Sequence, residues 1–327
     1  MLELRISRLG IRGWFGSKME RLVFMGTPRF GEIVLGALIG HYEIVAVITQ
    51  PDREAGRGRL IRVSRVKALA VEHGLCVLQP KRVGNPSAIE QLRDMEPTLI
   101  AVAAFGQILP PALLAVPAHG AVNVHASLLP RHRGAAPIPA TILAGDAQAG
   151  VTIMLMDEGL DTGPILSQAR LEVSPQDTTA SLAERLGCLG GQLLLDTLPK
   201  WIMGDIAPKA QDDQHATYAG QLRRKDGRID WTESAAHIAR RIRAYHPWPG
   251  ASTSWNGRPL KVLRARPLAA ETVCDTAGRV MLFDSTVTVA TGQGLLVLEE
   301  LQLAGRRRLL AQEFIRGQRG FIGSLLQ

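Results

Sequence analysis

The sequence predicts an α/β protein: an N-terminal domain built on a mostly parallel sheet, and a smaller C-terminal β-barrel domain. Apolar, β-branched runs alternate with segments of helical spacing from residue 21 to residue 198, and such alternation builds parallel sheets with right-handed crossovers. After residue 221 the rhythm changes to short strands separated by Gly, Asn and Asp turns. The charge divides at the same place. Residues 1–220 carry 21 Lys+Arg and 21 Asp+Glu, whereas 221–327 carry 17 and 9, so the whole net charge of +8 lies in the last third. A basic module beside a neutral one points to a polyanionic partner, with a solvated, basic-biased surface as the plainer alternative.

The elements follow in order. Residues 1–18 hold Arg5, Arg8, Arg12 and Lys18 against Glu3, ahead of Met19 and the clean start ERLVFMG. They read as an upstream or disordered extension with Met19 as the functional first residue. The alternative is an Arg-rich targeting peptide, which would place the chain in the mitochondrial matrix rather than the expected bacterial-type cytoplasm. The segment has no apolar h-region, so it is not a secretory signal. The run 21–25 exits tightly at Gly26-Thr27-Pro28, and Phe30, Ile33, Val34, Ala37 and Leu38 continue at helical spacing. Residues 43–49 (EIVAVIT) read as a buried parallel strand. A basic cluster follows: Arg53, Arg57, Arg59, Arg62, Arg65 and Lys67, opposed only by Glu54. Helices are expected around Val66–His73 and Ile89–Arg93, near Pro137–Ala144, and over 178–198. Strands are expected at 76–78, 98–104, 121–125 (AVNVH) and 151–156 (VTIMLM).

The polar stretch 204–221 reads as a linker between a 19–203 domain and a 222–327 domain. In the latter a helix is expected over 234–244, then strands at 251–255, 260–266, 280–283, 287–290 and 295–301. Asn256-Gly257 is a strong hairpin signal. Five short strands suggest a small barrel, an OB-like barrel being one candidate.

Several classes drop out. At 46% hydrophobic and 21% charged residues the chain is neither collagen-like nor disordered. Cys76, Cys188 and Cys274 are far apart and odd in number, which argues against a disulfide framework or zinc ribbon and for a reducing compartment. The longest apolar stretch, 99–116, is broken by Gly106, Gln107 and Pro110-Pro111, so no membrane span is expected. There is no P-loop, no GxGxxG, no GxSxG and no HExxH. His119, His125 and His132 lack ligand spacing, and no metal is expected.

The chemistry concentrates in two stretches. Asn123 and His125 sit two apart at the C-terminal end of an apolar strand, so both side chains share one face at the edge where open parallel sheets bind ligands. Either they form a site, or Asn123 bonds a loop backbone and His125 is a satisfied edge histidine. Asp161, between Gly159 and Gly163, is either a turn-forming residue or a carboxylate reaching that face. Ser127, His125 and Asp161 can also be read as a hydrolase triad, but Ser127 lies two residues from its base and no nucleophile elbow is present. A pure RNA-binding module would explain the charge and leave all three residues idle.

NVHASLLPRHRGAAPI followed by GVTIMLMDEGLDTGPIL closely resembles the folate-dependent formyltransferases. The resemblance implies a Rossmann-like catalytic domain, catalytic roles for Asn123, His125 and Asp161, folate binding by Ser127, Leu128, Leu129 and Pro130, and 10-formyltetrahydrofolate as co-substrate. MGTPRF, TQPDREAGRGRLIRVSRVKALA and RIDWTESAAHIARRIRAYHPWPGA resemble the branch of that family that formylates methionyl initiator tRNA. That branch implies contacts to the tRNA acceptor end from Arg57 and its loop neighbours Arg59 and Arg62, and from Arg224 and Lys225 in a tRNA-binding C-terminal domain. Amines of ribonucleotides or amino sugars are the acceptors of other branches. The resemblance covers residues 21–320. His132 stands where many relatives carry an aromatic residue, and Glu54 where proline is usual. A monomer without DNA or membrane partners is expected. Trp231, Trp248 and Trp255 are read as barrel core in preference to base-stacking platforms.

Overall fold

The computed structural model describes residues 19–55, 60–268 and 276–327. The expected extension 1–18, Arg57, Arg59 and Cys274 lie outside the described residues.

The first half runs β1 (Arg21–Gly26), α1 (Arg29–Leu38), β2 (Glu43–Ile48), β3 (Arg53–Ala55), β4 (Leu60–Arg62), α2 (Arg65–Glu72), β5 (Val77–Leu78), α3 (Pro86–Asp94), β6 (Leu99–Ala103), α4 (Pro111–Leu114), β7 (Ala121–His125), β8 (Arg133–Gly134), α5 (Pro137–Ala144), β9 (Gln148–Leu155), β10 (Ile165–Glu172) and α6 (Thr179–Ile202). Then come β11 (Tyr218–Ala219), α7 (Ala235–Ala244), β12 (Ala251–Trp255), β13 (Arg258–Leu268), β14 (Val280–Phe283), β15 (Thr286–Ala290), β16 (Leu295–Leu303), β17 (Leu309–Leu310) and α8 (Ala311–Gly317).

The main sheet has the order β10-β9-β7-β6-β1-β2-β5. Its five strands from β5 to β7 are parallel, as expected of buried β-branched runs. Side-chain alternation then makes two apolar faces. Leu22, Phe24, Leu99, Ala101, Val122 and Val124 pack under α1 and α6. Val23, Met25, Ile100, Val102 and Ala121 pack under α3 and α4. Burying each large apolar side chain contributes about 1.5–3 kcal/mol. Helix starts are fixed locally: the Ser64 hydroxyl accepts from Lys67 N at 3.0 Å, and Thr178 and Ser181 form a reciprocal capping box.

One difference concerns strand direction. β9, the expected 151–156 strand, runs antiparallel to β7, and β10 returns antiparallel to β9. An apolar run carries no direction of its own. After β8 and helix α5 the chain re-enters the sheet beside the strand it left, running the opposite way.

The second half is antiparallel, in the order β12-β13-β16-β15-β14, with β17 on β16. Asn256 (φ 48°) and Gly257 (φ 71°) make the expected tight turn between β12 and β13. Trp255 packs edge-on against Phe314 and Phe321. Trp231 is also buried, its indole N–H donating to the Thr253 hydroxyl, whereas Trp248 is 56% exposed. The core reading therefore holds for two of the three tryptophans. The two halves touch through α7: Ala244 and Tyr245 join the first core, and Arg243 donates to the Asp177 carbonyl at 2.9 Å.

Candidate active site

β7 carries the pair that the sequence singled out. Ala121, Val122 and Val124 are buried anchors, so the strand's position is fixed by packing, and parity puts Asn123 and His125 on one face. Because β9 runs against β7, the 156–164 loop leaves the sheet beside Ala121, where Met156 N donates to the Ala121 carbonyl at 2.8 Å. The loop must fold back over the sheet to reach Asn123. Three local features make it do so. The Asp157 carboxylate accepts from Gly159 N at 3.0 Å and from the Thr162 hydroxyl at 2.8 Å. Gly163 presses against the preceding strand so closely that a Cβ there would lie 1.8 Å from the Leu155 carbonyl oxygen. Asp161 itself adopts a left-handed φ of 54°, which Asp tolerates better than most residues.

The fold-back brings the three residues together. Asn123 Nδ2 donates to Asp161 Oδ1 at 3.4 Å, and His125 Nδ1 faces Asp161 Oδ2 at 3.6 Å. Asp161 Oδ2 also accepts from Gly134 N at 2.7 Å. His125 Nε2 lies 3.0 Å from the His132 carbonyl. A carbonyl only accepts, so Nε2 must carry the ring proton, and in the neutral ring Nδ1 is left with its lone pair toward Asp161. Burial pushes the His125 imidazole below its ordinary 6.5, while the Asp161 charge and the His132 carbonyl pull it back up. The ring is therefore neutral at pH 7, with a base at Nδ1 and a carboxylate beside it.

The stretch after β7 is a rigid turn. Ser127 is buried, and its hydroxyl donates to the Arg131 carbonyl at 2.6 Å. The hydroxyl is thus bonded to a backbone carbonyl, and His125 Nε2 is engaged by the His132 carbonyl, so the pairing a hydrolase triad needs is not formed between them. Thr152, buried in β9, donates to the Ser127 carbonyl at 2.7 Å and accepts from Leu129 N at 3.1 Å. Gln168 donates to the Leu129 carbonyl at 2.9 Å, and Thr217 N to the Pro130 carbonyl at 3.3 Å. With these polar groups engaged, residues 127–130 offer a ligand mainly a fixed shape and the half-buried side chains of Leu128 and Pro130. His132 is buried with φ 58°, its ring bonded to Asp146 Oδ2 at 2.7 Å. It thus fills an interior position with a polar pair.

Sequence reasoning missed four positions that hold this arrangement: Thr152, Gln168, Arg133 and Gln211. Thr152 had a signal, being polar within an otherwise apolar strand. Arg133 looks like its basic neighbours, and Gln211 lies in a stretch that reads only as a connection. Of the expected basic residues, Arg62 is exposed on β4, which pairs with β3 as a hairpin at the C-terminal end of β2. Arg224 and Lys225 are exposed on a single turn, Arg224–Gly227. They contribute nothing to the Asn123 cluster itself.

The family model for formyl transferase matches residues 20–198, and that for the formyl transferase C-terminal domain matches 221–319. The chain belongs to the formyl transferase family. A methionyl-tRNA formyltransferase from Roseiflexus castenholzii is 44% identical over 301 residues, which cover 91% of this chain and 96% of the relative. Among solved structures, the N-formyltransferase of Helicobacter canadensis with folinic acid and dTDP-3-aminofucose aligns with a TM-score of 0.64 at 17% identity, over 86% of this chain and 98% of that one. A HypX variant from Aquifex aeolicus aligns with a TM-score of 0.61 at 16% identity over 93% of this chain, which spans about half (49%) of that protein. At such identities the shared property is the formyl transferase fold. Among the described residues no helix is long and apolar enough to cross a membrane.

Proposed function

We propose that this chain transfers the formyl group of 10-formyltetrahydrofolate to the α-amine of methionyl initiator tRNA. The observation that carries the reading is the meeting of Asn123, His125 and Asp161 within 3.6 Å, in a chain 44% identical to a methionyl-tRNA formyltransferase along nearly its whole length.

The chemistry follows from the donors and acceptors present. The nucleophile is the substrate's own amine, so no enzyme Ser or Cys is required. Its nitrogen bonds to the formyl carbon, and the formyl oxygen takes the negative charge. Asn123 Nδ2 donates to that oxygen, an interaction of the kind worth about 3–4 kcal/mol in oxyanion holes. His125 Nδ1 takes the proton that the amine releases. The resulting imidazolium lies beside Asp161, which stabilises it, and Nδ1 then returns the proton to the folate nitrogen as the carbon–N10 bond breaks. The products are the formylated aminoacyl-tRNA and tetrahydrofolate.

Residues 127–130 shape the folate site beside this centre. Arg57, Arg59, Arg62, Arg224 and Lys225 supply phosphate contacts to the acceptor end, from a catalytic domain over 19–203, across a connection at 204–221, to a tRNA-binding domain over 222–327. Phosphate contacts position the RNA and reading of bases is secondary. The protein acts as a cytoplasmic monomer. The test is formyl transfer by Asn123→Ala, His125→Ala and Asp161→Ala. Each should lose most turnover while keeping the thermal midpoint within a few degrees; wild-type turnover in any of them would remove that residue from the mechanism.

A further inference from the structure

Arg133 and Gln211 stand outside the chemistry above, yet both reach its centre. Arg133 is a fully buried arginine, 2% exposed, and a charge so placed needs partners. Its Nε and Nη2 both donate to Gln211 Oε1, at 3.1 and 2.9 Å, and Nη2 also donates to Asp213 Oδ1 at 2.7 Å. This fixes which way the Gln211 amide faces. With its oxygen held by Arg133, its nitrogen points at the 156–164 loop, donating to the Asp161 carbonyl at 2.9 Å and the Gly163 carbonyl at 2.7 Å. These carbonyls flank the turn that places Asp161 at φ 54°. Arg133 also sits between two residues of the site's wall: the His132 carbonyl engages His125, and Gly134 N engages the Asp161 carboxylate.

The rest of the 209–219 segment is bound to the same structures. Lys209 and Ile165 exchange two backbone bonds of 2.8 Å. Thr217 accepts from Arg133 N and His132 N, both at 2.8 Å, and β11 pairs with β8. This segment therefore straps the His132–Gly134 wall and the Asp161 loop together, and the Gln211 side chain bonds both.

We infer that Gln211, oriented by Arg133, is a positioning residue for formyl transfer: it sets the distance between the Asp161 carboxylate and His125 Nδ1. This rests on the reading of Asp161 given above. The connection to the C-terminal half is thereby part of the active site's scaffold, and the catalytic loop is not self-sufficient.

The test is Gln211→Glu, with Gln211→Ala as a second variant that brings no charge. Glutamate still accepts from Arg133, but it has no proton for the two carbonyls. Displacing a catalytic group by about 1 Å costs up to about 10²-fold. We expect kcat for formyl transfer to methionyl initiator tRNA to fall about 10–100-fold, with KM for 10-formyltetrahydrofolate and folinic acid affinity changed less than about threefold. In an Asp161→Asn background the same substitution should cost little more, because the carboxylate it positions is gone. The inference is overturned if kcat is unchanged, or if the loss is equal in both backgrounds, or if turnover, folate binding and thermal midpoint all fall together in both variants. If Asp161→Asn alone has wild-type turnover, the underlying reading of Asp161 is what fails.

Discussion

Replacing Asp161 by Asn keeps the size of the side chain and removes its charge, together with one of the hydrogen bonds that its two oxygens accept from Asn123 Nδ2 and Gly134 N. The His125 imidazole is neutral in the resting site and becomes an imidazolium only during transfer. The carboxylate's attraction is then felt in the transition state and hardly in the ground state, the condition under which an interaction raises kcat. Both side chains are largely withdrawn from water, at 6% and 13% exposure, with 3.6 Å between Nδ1 and Oδ2. At an effective dielectric of about 20 the attraction between unit charges at this distance is about 4–5 kcal/mol. At 1.36 kcal/mol per decade, and allowing for partial relaxation of the variant, the expected loss is about 10²–10³-fold in kcat. The assay is single-turnover transfer of labelled formyl at saturating tRNA, with folinic acid affinity and thermal midpoint as controls on the integrity of the site. A kcat within about threefold of wild type, with both controls intact, would refute the pairing of His125 with Asp161 as a source of rate.

Three further outcomes follow from the same geometry. In an NMR titration of labelled histidines, His125 should take its proton below pH 6.5, and lower still in Asp161→Asn, since burial depresses it and the Asp161 charge partly restores it. Below 6.5 the unfolded chain then binds a proton that the native ring refuses, so stability falls as pH drops through 6.5, and His125→Gln should remove that part of the fall; a native midpoint above 6.5 would contradict both statements. Gly163→Ala should lower kcat by about 10²-fold by pushing the Asp161 loop off its strand, since the added Cβ would lie 1.8 Å from the Leu155 oxygen; unchanged turnover would show that the loop's seating is immaterial. The triple substitution Arg62→Ala, Arg224→Ala, Lys225→Ala should flatten the slope of log affinity for tRNA against log salt by about two to three units if all three meet phosphates, and an unaltered slope would place RNA binding elsewhere.

Much of this molecule was legible in local pattern. The apolar runs that became β1, β2, β6 and β7 state both their strand character and their burial. The parity of Asn123 and His125 states that they share a face. Asn256-Gly257 states its turn, and the short strands of the second half fall close to their expected positions. What pattern could not carry was direction and distance. VTIMLM reads the same whether β9 runs with β7 or against it, yet that direction makes the Asp161 loop fold back over the sheet. β10 (ILSQARLE) mixes apolar with polar and charged side chains as an edge strand does, between the turn signals Gly163-Pro164 and Ser174-Pro175, and the sequence pattern above places no strand there. The roles of Arg133 and Gln211 depend on a contact across 78 residues of chain, set by the packing of the strap against β8. No periodicity registers such a contact. The placement of His132 against Asp146 is of the same kind.

The central claim is that the Asn123–His125–Asp161 centre serves an aminoacyl-tRNA amine. The most direct measurement offers one preparation of the protein formyl-labelled 10-formyltetrahydrofolate and, in parallel, methionyl initiator tRNA, methionyl elongator tRNA, free methionine and a dTDP-amino sugar. Label should appear on the initiator methionyl-tRNA far faster than on any other acceptor. Label on the amino sugar with none on tRNA would leave the formyl transferase centre standing and overturn the assignment of its acceptor.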